Sequence, residues 1–460
     1  MCSQSAAQAQ RAAKRQPAAK AKPAPPKVIR DEDLPYPPTL KGGKSMSTDA
    51  SEQFLVAPPE LVGVSIAKEV PTVDLIIYPG QDYPGKPWSN WGDGCVFDGK
   101  YYSAIGDHYA IGRGESPHGT GTALVYEYDP QSKRLRALAD VARVLKLPAG
   151  HYTPGKIHSR IDAGSDGWLY YSTHRGSPRA ANDENHYGGD WIFRTNPTTG
   201  ATEVVVQGPV AKHSTPNSVV DARRMIFYGG TAAGPDAPLQ DIRFFAYDLK
   251  NRKLLYTGGD GPARYMILAK STGRVYYVPG NGDGELLRFD PEVGGAPVAT
   301  GTTIGVRAAT EETAEGLVYT VSSGQKSGDA PIWEFNTKTE RARKIGDIGV
   351  GGVAYAASLD VDPTGRYLYY VPGAHGGGHK VGSPVVQFDI KTGVKKVLAF
   401  LHPFYEQQHG LTLKGTYSTA LSAEGDKLYI TWNASRGTRA WDCCALAVVH
   451  IPASERAPAP

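Results

Sequence analysis

One supersecondary unit recurs along this chain, and its repetition restricts the fold more than any other feature. Each copy begins with a hairpin: an apolar strand, a turn rich in Asp, Gly, Thr and Pro, and a Tyr-rich strand. The seven copies lie at residues 95–105, 161–173, 219–230, 267–280, 309–322, 359–373 and 421–432. The 54 Gly and 35 Pro among 460 residues also oppose helix formation. Together these features predict a repeat protein built from strands.

A second strand follows each hairpin, and it ends in a corner of the type aromatic residue, Asp or Asn, two further residues, Thr and Gly. This strand recurs at residues 125–133, 192–200, 244–252, 286–295, 332–340, 385–393 and 446–454. A short polar side chain can hydrogen-bond its own turn, and Gly accepts a positive φ. The corners are therefore predicted at Asp129, Asn196, Asp248, Asp290, Asn336 and Asp389.

The spacing of these corners indicates the size of the repeat. They lie 67, 52, 42, 46 and 53 residues apart, close to the ~40–50 residues of a four-stranded propeller blade. We therefore predict an all-β fold, a seven-bladed β-propeller of antiparallel blades with strand A innermost. The chain nearly ends after strand C of the last blade, so we expect residues 54–79 to supply its outer strand and close the ring.

The first 52 residues differ in composition from the rest. They are rich in Ala, Lys and Pro, and we predict a disordered tail over 1–52 and one propeller domain over 53–460. Residues 1–58 hold nine Lys or Arg and five acids, which leaves 41 of each sign in the remainder. A neutral body argues against a nucleic-acid partner, and no apolar run is long enough for a transmembrane helix.

The cysteines leave several structures open. Cys2, Cys95, Cys443 and Cys444 show no CxxC spacing, which excludes zinc-ribbon and thioredoxin-like sites. The adjacent pair predicts a vicinal disulfide, a bridge from one member to Cys95, or buried thiols. Cys2 is a candidate lipid attachment site or an incidental residue of the tail. We expect a monomer in the periplasm or outside the cell.

The histidines are predicted to gather at one mouth of the ring. Loops that enter strand A and loops that leave strand B open on the same face of a propeller. Eleven of the twelve histidines fall there, namely His108, His118, His151, His158, His174, His186, His213, His375, His379, His402 and His409. Long loops also collect polar residues by chance. Clustered imidazoles suit acid–base chemistry near neutral pH or binding of a transition metal.

Adjacent blades place polar residues along one arc of this mouth. His158, His174 and His213 form a possible three-histidine metal set, and Arg264 and Tyr265 follow at blade 4. Arg307, Tyr355 and Tyr417 occupy similar strand-A positions farther round the ring. The plainer alternatives are aromatic side chains that fill the channel and an arginine paired with a buried carboxylate.

The repeated hairpins and Tyr-Asp-Pro-x-Thr-Gly corners resemble those of seven-bladed propellers of exported bacterial proteins, over about residues 54–460. The histidine-rich mouth is most similar to propeller polysaccharide lyases of the oligogalacturonate and ulvan type. Those enzymes use His, Tyr and Arg with a histidine-bound divalent metal to remove a proton beside a uronate carboxylate. No motif aligns residue by residue, so the resemblance assigns no individual role.

These observations together predict a metal-assisted carbohydrate-active enzyme, a lyase that acts on an acidic oligo- or polysaccharide. The expected catalytic residues are His151, Arg264 and Tyr265. The expected substrate-binding residues are Trp91, Tyr152, Lys156, Arg160, Arg175, Arg307, Tyr355, His375 and Tyr417. The metal set would hold zinc, manganese or calcium, or alternatively iron or copper. Two other classes stay open: a propeller that only binds a glycan or protein, and a histidine-ligated iron or copper redox enzyme.

Overall fold

The computed structural model describes most of the chain. The described residues are 34–82, 86–108, 121–176, 180–233, 241–280, 282–323 and 330–458. Cys2, His118 and most of the predicted tail therefore lie outside the described residues.

Within them, the strands form seven antiparallel sheets, which are the seven blades of the predicted β-propeller. Three strands precede the first blade: β1 (Met46–Asp49), β2 (Ser65–Ile66) and β3 (Thr72–Ile77). Blades 1 to 3 consist of β4 (Cys95–Phe97), β5 (Lys100–Gly106), β6 (Ala123–Asp129), β7 (Arg134–Asp140); β8 (Lys156–Ile157), β9 (Asp162–Ala163), β10 (Leu169–His174), β11 (Trp191–Thr195), β12 (Thr202–Gln207); and β13 (His213–Asp221), β14 (Ile226–Ala233), β15 (Phe244–Asp248), β16 (Lys253–Gly258).

Blades 4 to 7 repeat the same plan of strands A to D from the channel outward. They consist of β17 (Ile267–Ala269), β18 (Arg274–Tyr277), β19 (Asp283–Phe289), β20 (Val298–Gly305); β21 (Ala308–Ala309), β22 (Leu317–Val321), β23 (Pro331–Asn336), β24 (Arg341–Asp347); β25 (Asp360–Val361), β26 (Tyr367–Tyr370), β27 (Pro384–Asp389), β28 (Lys395–Phe400); and β29 (Thr412–Leu421), β30 (Lys427–Ser435), β31 (Cys443–His450). Helices α1 (Val141–Leu145) and α2 (Phe404–His409) lie between blades. No helix in the described part of the chain is long and apolar enough to cross a membrane.

The ring closes as the sequence predicts. Strand β3 pairs antiparallel with β31, from Thr72 opposite His450 to Ile77 opposite Ala445, and so supplies the outer strand of blade 7. Two further pairings were not predicted. Strand β1 pairs outside β3, and β2 adds to blade 6 in parallel with β28. The segment predicted as a tail thus contributes β1 to the sheet.

The predicted corners form because their anchors bond their own turns. The carboxylate of Asp389 accepts hydrogen bonds from the backbone N–H groups of Lys391 and Thr392, at 2.9 and 3.0 Å. Asn196 accepts in the same way from Thr198 and Thr199. The φ of +71° at Gly393 shows why Gly ends the motif. One local pattern therefore sets the C-to-D turn of successive blades.

The apolar core lies between neighbouring blades. Its largest cluster joins blades 6 and 7, with Trp432, Tyr405 and Leu398 fully buried in it. Cys95, Cys443 and Cys444 are buried free thiols. Of the three predicted alternatives, the described cysteines therefore agree with buried thiols and not with either disulfide. This packing fixes the strands that present the residues of the channel and its mouths.

Candidate functional site

Trp91 lies at the centre of the histidine-rich mouth. Its ring lies 4.3 Å from that of His108, 4.9 Å from Tyr417, 5.1 Å from Trp441 and 6.2 Å from His158, measured between centroids. These residues come from segments far apart in the chain. We call the group of residues around Trp91 the Trp91 site.

Blade 2 contributes two further histidines to the Trp91 site, His158 and His174. Lys156 and His174 lie opposite each other where β8 pairs with β10, and the His174 ring lies 5.3 Å from that of His158, perpendicular to it. Nδ1 of His158 lies 2.8 Å from the carbonyl oxygen of Pro216. A carbonyl only accepts, so Nδ1 carries the hydrogen and Nε2 keeps a lone pair.

Three cations surround these rings without a carboxylate partner. Nζ of Lys156 lies 4.6 Å from the centre of the Trp91 ring. Arg307 donates from Nε to the phenol oxygen of Tyr355 at 2.5 Å. Arg264 and Arg307 both line a small chamber beneath Trp91. Among the described residues none of the three forms an ion pair. Lys156 and Arg307 are nevertheless only 6% and 5% exposed.

Burial and mutual repulsion bias these groups toward their neutral forms. Burial, together with the charges of Arg175 and Arg264, lowers the pKa of Lys156 well below its ordinary value. Burial and the Lys156 ammonium do the same to the pKa of both His158 and His174. Burial and Arg307 lower the pKa of the Arg264 guanidinium. The site is therefore electrostatically poised to accept an anion.

The central channel continues below Trp91 into two cavities. A small chamber of about 20 Å³ is lined by Trp91, Asp93, His158, Arg264, Arg307 and Tyr417, among others. A rear cavity of about 410 Å³ opens toward the other face and includes Cys95, Arg160, Asp162, Lys270, Glu311 and Asp360 in its lining. Tyr265 and Arg160 line both cavities, so they form the floor between the two ends.

Besides His158 and His174 of the predicted metal set, the structure brings together seven of the residues predicted for catalysis or substrate binding. They are Trp91, Lys156, Arg264, Arg307, Tyr355, His375 and Tyr417. His375 lies at the rim, 4.6 Å from the Tyr355 ring and 5.5 Å from that of Tyr417. Arg175 lies beside His174, and both bond the hydroxyl of Ser214, at 3.0 and 2.7 Å.

Three predicted residues face elsewhere. Arg160 belongs to the rear network, where it pairs with Asp162 at 2.7 Å and also with Glu311. Tyr152 is buried in the core of blade 2 and donates to Asp190 at 2.9 Å, so its ring offers no sugar-stacking surface. Tyr265 donates to Asp93 at 3.3 Å on the channel floor.

Two predicted histidines also lie apart from the Trp91 site. The His151 ring stacks on His186 at 4.2 Å, and no contact among the described residues joins it to the Trp91 site. Both ring nitrogens of His213 face carbonyl oxygens, Nδ1 that of Ala211 at 2.8 Å and Nε2 that of Asp241 at 3.1 Å. A neutral imidazole carries one hydrogen and donates to only one of these carbonyls, but the two oxygens occupy the positions beside both nitrogens where a metal would have to lie.

The donor set of the predicted metal centre is therefore incomplete. His158 and His174 lie together, but His213 is held apart by its own hydrogen bonds. No group of three His, Cys, Asp or Glu residues within the described residues has the arrangement of a metal site. The charge that most affects both remaining imidazoles is that of Lys156, which lowers their pKa. These residues do not fit a metal ion, and the cofactor stays a prediction.

Two contributors to the site were missed among the sequence candidates. His108 follows strand β5, and Trp441 lies in the loop between β30 and β31. Both loops join strand B to strand C and so open on the same mouth as the predicted residues. That topological rule already placed His108 at this mouth, though not in the site, and it could have placed Trp441 there. Their convergence on Trp91 depends on the folded loops.

Ten of the eleven described histidines lie on the predicted face, but they form separate groups. His379 and His402 pair at 5.9 Å, and His409 packs on Tyr405 at 6.2 Å. Only the four around Trp91 and Tyr417 share one site: His108, His158, His174 and His375.

Comparisons with known proteins agree with the fold. No protein-family model matches the chain, and no curated protein matches it by sequence. A solved structure of an oligogalacturonate lyase in complex with manganese is 14% identical with a TM-score of 0.53, over 89% of this chain and 97% of that one.

Two further solved structures match less well. A mitotic checkpoint complex chain is 12% identical, with a TM-score of 0.49, over 82% of this chain and 93% of that one. A Kuenenia stuttgartiensis hydrazine synthase chain is 14% identical, with a TM-score of 0.42, over 60% and 76%. At such identities a likeness concerns the fold alone. The chain has the fold of a seven-bladed β-propeller.

Proposed function

We propose that the Trp91 site binds a uronate-containing polysaccharide and cleaves it by β-elimination. The observation that supports this most is the set of Lys156, Arg264 and Arg307, three buried or half-buried cations that have no carboxylate partner among the described residues. A buried charge without a counterion is costly. A bound carboxylate would supply the missing charge.

The shape and composition of the mouth favour a sugar acid over a simple anion. Trp91 presents an aromatic ring beside Lys156 and packs against Trp441, and aromatic faces pack well on the apolar faces of sugar rings. Arg307 can approach a carboxylate through its guanidinium, since only Nε is used by Tyr355. The same groups would thus recognise both the ring and its acid.

The residues present can carry out an elimination. Nε2 of His158 takes the proton from the carbon beside the carboxylate, while Arg264 and Arg307 stabilise the charge that develops on the acid. The electrons of that C–H bond form a carbon–carbon double bond, and the bond to the glycosidic oxygen breaks. The leaving oxygen takes a proton from Tyr417, whose phenol oxygen is buried and has no hydrogen-bond partner among the described residues.

Two predicted roles therefore change. His158 replaces His151 as the base because His151 lies outside the site, and Tyr417 replaces Tyr265 as the acid because Tyr265 donates to Asp93. The fold of an oligogalacturonate lyase supports the proposal by analogy. That lyase was solved in complex with manganese, whereas no step proposed here uses a metal.

The test is turnover of polyuronates, followed by the ultraviolet absorbance of the unsaturated product, with Arg307→Met as the key variant. We expect the wild type to cleave at least one polyuronate and R307M to lose on the order of 100-fold in kcat/KM. Arg343→Met is the matched control. Its guanidinium lies on the outside of blade 5, 67% exposed and paired with Glu334.

Each other result has a definite meaning. Binding of polyuronate without turnover would replace the lyase by a glycan-binding propeller. If R307M left turnover unchanged, the reaction would take place away from the Trp91 site. Absence of both binding and turnover would overturn the proposal.

A further inference from the structure

A chain of hydrogen bonds crosses the channel floor and ends in a carboxyl group on each side. Oδ1 of Asp93 lies 2.8 Å from Oγ of Ser358, which lies 2.7 Å from Oγ1 of Thr419, which lies 2.6 Å from Oδ2 of Asp360. Asp93 lines the small chamber under Trp91, and Asp360 lines the rear cavity. The chain thus connects the two ends of the channel.

The number of hydrogens in this chain is informative. Its three oxygen–oxygen contacts all have hydrogen-bond length, and each needs one hydrogen. The hydroxyls of Ser358 and Thr419 supply only two, since each carries one. The third hydrogen must come from a carboxyl group. All three contacts are hydrogen bonds only when either Asp93 or Asp360 is protonated.

The two protonated forms are related by a concerted shift. With Asp360 protonated, Asp360 donates to Thr419, Thr419 to Ser358 and Ser358 to Asp93. With Asp93 protonated, every donor is reversed. Each hydroxyl gives up one proton and receives one in the change, so one proton is transferred from one carboxyl group to the other and no other charge moves.

The surroundings also favour a single negative charge on the pair. Charged or titratable groups face it from every side: Arg160 and Asp162 from blade 2, Tyr265 from blade 4, and Cys95 and Tyr101 from blade 1. Arg264 and Arg307 line the small chamber with Asp93, and Lys270 lines the rear cavity with Asp360. Arg160 is the cation whose charge acts on both carboxyl groups, and Asp162 and Glu311 already share it.

The direction of the pKa shifts agrees. Burial, offset in part by Arg160 and reinforced by Asp360, raises the pKa of Asp93 to about 7. Burial also raises the pKa of Asp360.

We propose that Asp93 and Asp360 share one proton at neutral pH through the hydroxyls of Ser358 and Thr419, and that this relay moves protons between the two ends of the channel. Its upper end lies in the chamber beneath His158, so it provides a route by which a proton can reach the rear cavity. The relay needs no bound substrate, and it stands or falls independently of the lyase proposal.

The test is infrared spectroscopy of the protonated-carboxyl C=O stretch in the full-length protein without ligand, on Asp93→Asn and Asp360→Asn. Asn can donate as a protonated Asp does, so each variant keeps a complete chain with the other carboxyl ionised. We expect a band in the wild type at neutral pH that both single variants lose, whereas a band from buried Asp107, whose pKa burial raises, should remain in all three proteins. A proton held by one residue alone would disappear in only one of them, which would overturn the shared site.

A variant that removes the middle hydroxyl gives a second measurement if an Asn variant fails to fold. Thr419→Val keeps the shape of the side chain, and it should raise the pH midpoint of the band by about one unit, because a donor to the ionised pair is lost. Thr320→Val is the matched control, since that buried hydroxyl bonds only the carbonyl of Gly305. An unchanged midpoint in T419V, or no band at neutral pH that depends on Asp93 or Asp360, would contradict the relay.

Discussion

The two ends of the channel hold the same kinds of cationic side chain in opposite settings. At the Trp91 site, Lys156 and Arg307 face aromatic rings and imidazoles. At the rear cavity, Arg160 pairs with Asp162 and Glu311, and Lys270 also pairs with Glu311. The protein therefore neutralises its cations at the rear cavity and leaves them unpaired at the Trp91 site.

This difference separates a structural role from a binding role. A paired buried cation contributes to stability mainly because its removal strands the carboxylates around it. An unpaired one already bears the cost of desolvation, so removing it relieves the fold and harms only ligand binding. The same substitution at the two ends should thus affect different properties.

The largest expected effect is on stability, at the rear. Arg160→Met leaves Asp162 and Glu311 without their shared partner and Asp93 without its neighbouring cation. We expect a loss of about 3–5 kcal/mol in the free energy of unfolding, measured by urea denaturation. Arg307→Met should lose none of this stability. Equal losses in the two variants would remove the distinction between the ends of the channel.

The architecture was accessible from the sequence because its signals are local. Asp389 specifies a turn through the hydrogen bonds that it accepts, and Gly393 does so through its positive φ. The number of such turns in the sequence therefore indicates the number of blades. The pairing of β3 with β31 followed from one missing strand. Topology alone then placed ten of the eleven described histidines on one face.

Depth along the channel was not accessible in the same way. His158 and Arg160 lie two residues apart in the segment between β8 and β9, and two residues of extended chain span about 7 Å. His158 therefore reaches the upper mouth, whereas Arg160 reaches the rear network. Tyr152 was wrongly predicted as a substrate-binding residue for a different reason. Its hydroxyl donates a hydrogen bond to buried Asp190, which holds the ring in the core.

The next effect concerns protons at the Trp91 site. The folded-state pKa values of Lys156, His158 and His174 lie below their ordinary values. Between the lowered and the ordinary pKa the folded state binds fewer protons than the unfolded chain, so stability rises with pH in that window and is lost as the pH falls. A bound carboxylate favours the charged forms and reverses this shift.

We therefore expect binding of a uronate oligosaccharide at neutral pH to take up on the order of one proton per site. Calorimetric titration in buffers of different ionisation enthalpy measures this number. Lys156→Met should reduce the uptake, whereas Lys270→Met at the rear, whose ammonium pairs with Glu311, should not. Binding without proton uptake would show that the cations of the mouth are already charged before the ligand arrives.

The smallest expected effect separates the mouth from the metal centre that the sequence predicts. Backbone carbonyl oxygens lie against both ring nitrogens of His213, so His213→Asn should leave the metal content of the purified protein equal to that of the wild type, as measured by elemental analysis. His174→Asn is the matched comparison, because His174 lies beside His158 in the Trp91 site. A bound zinc or manganese ion lost in both variants would mean that His213 turns inward to complete a three-histidine site. Equal metal content in all three proteins would leave recognition at this mouth to its cations and aromatic rings.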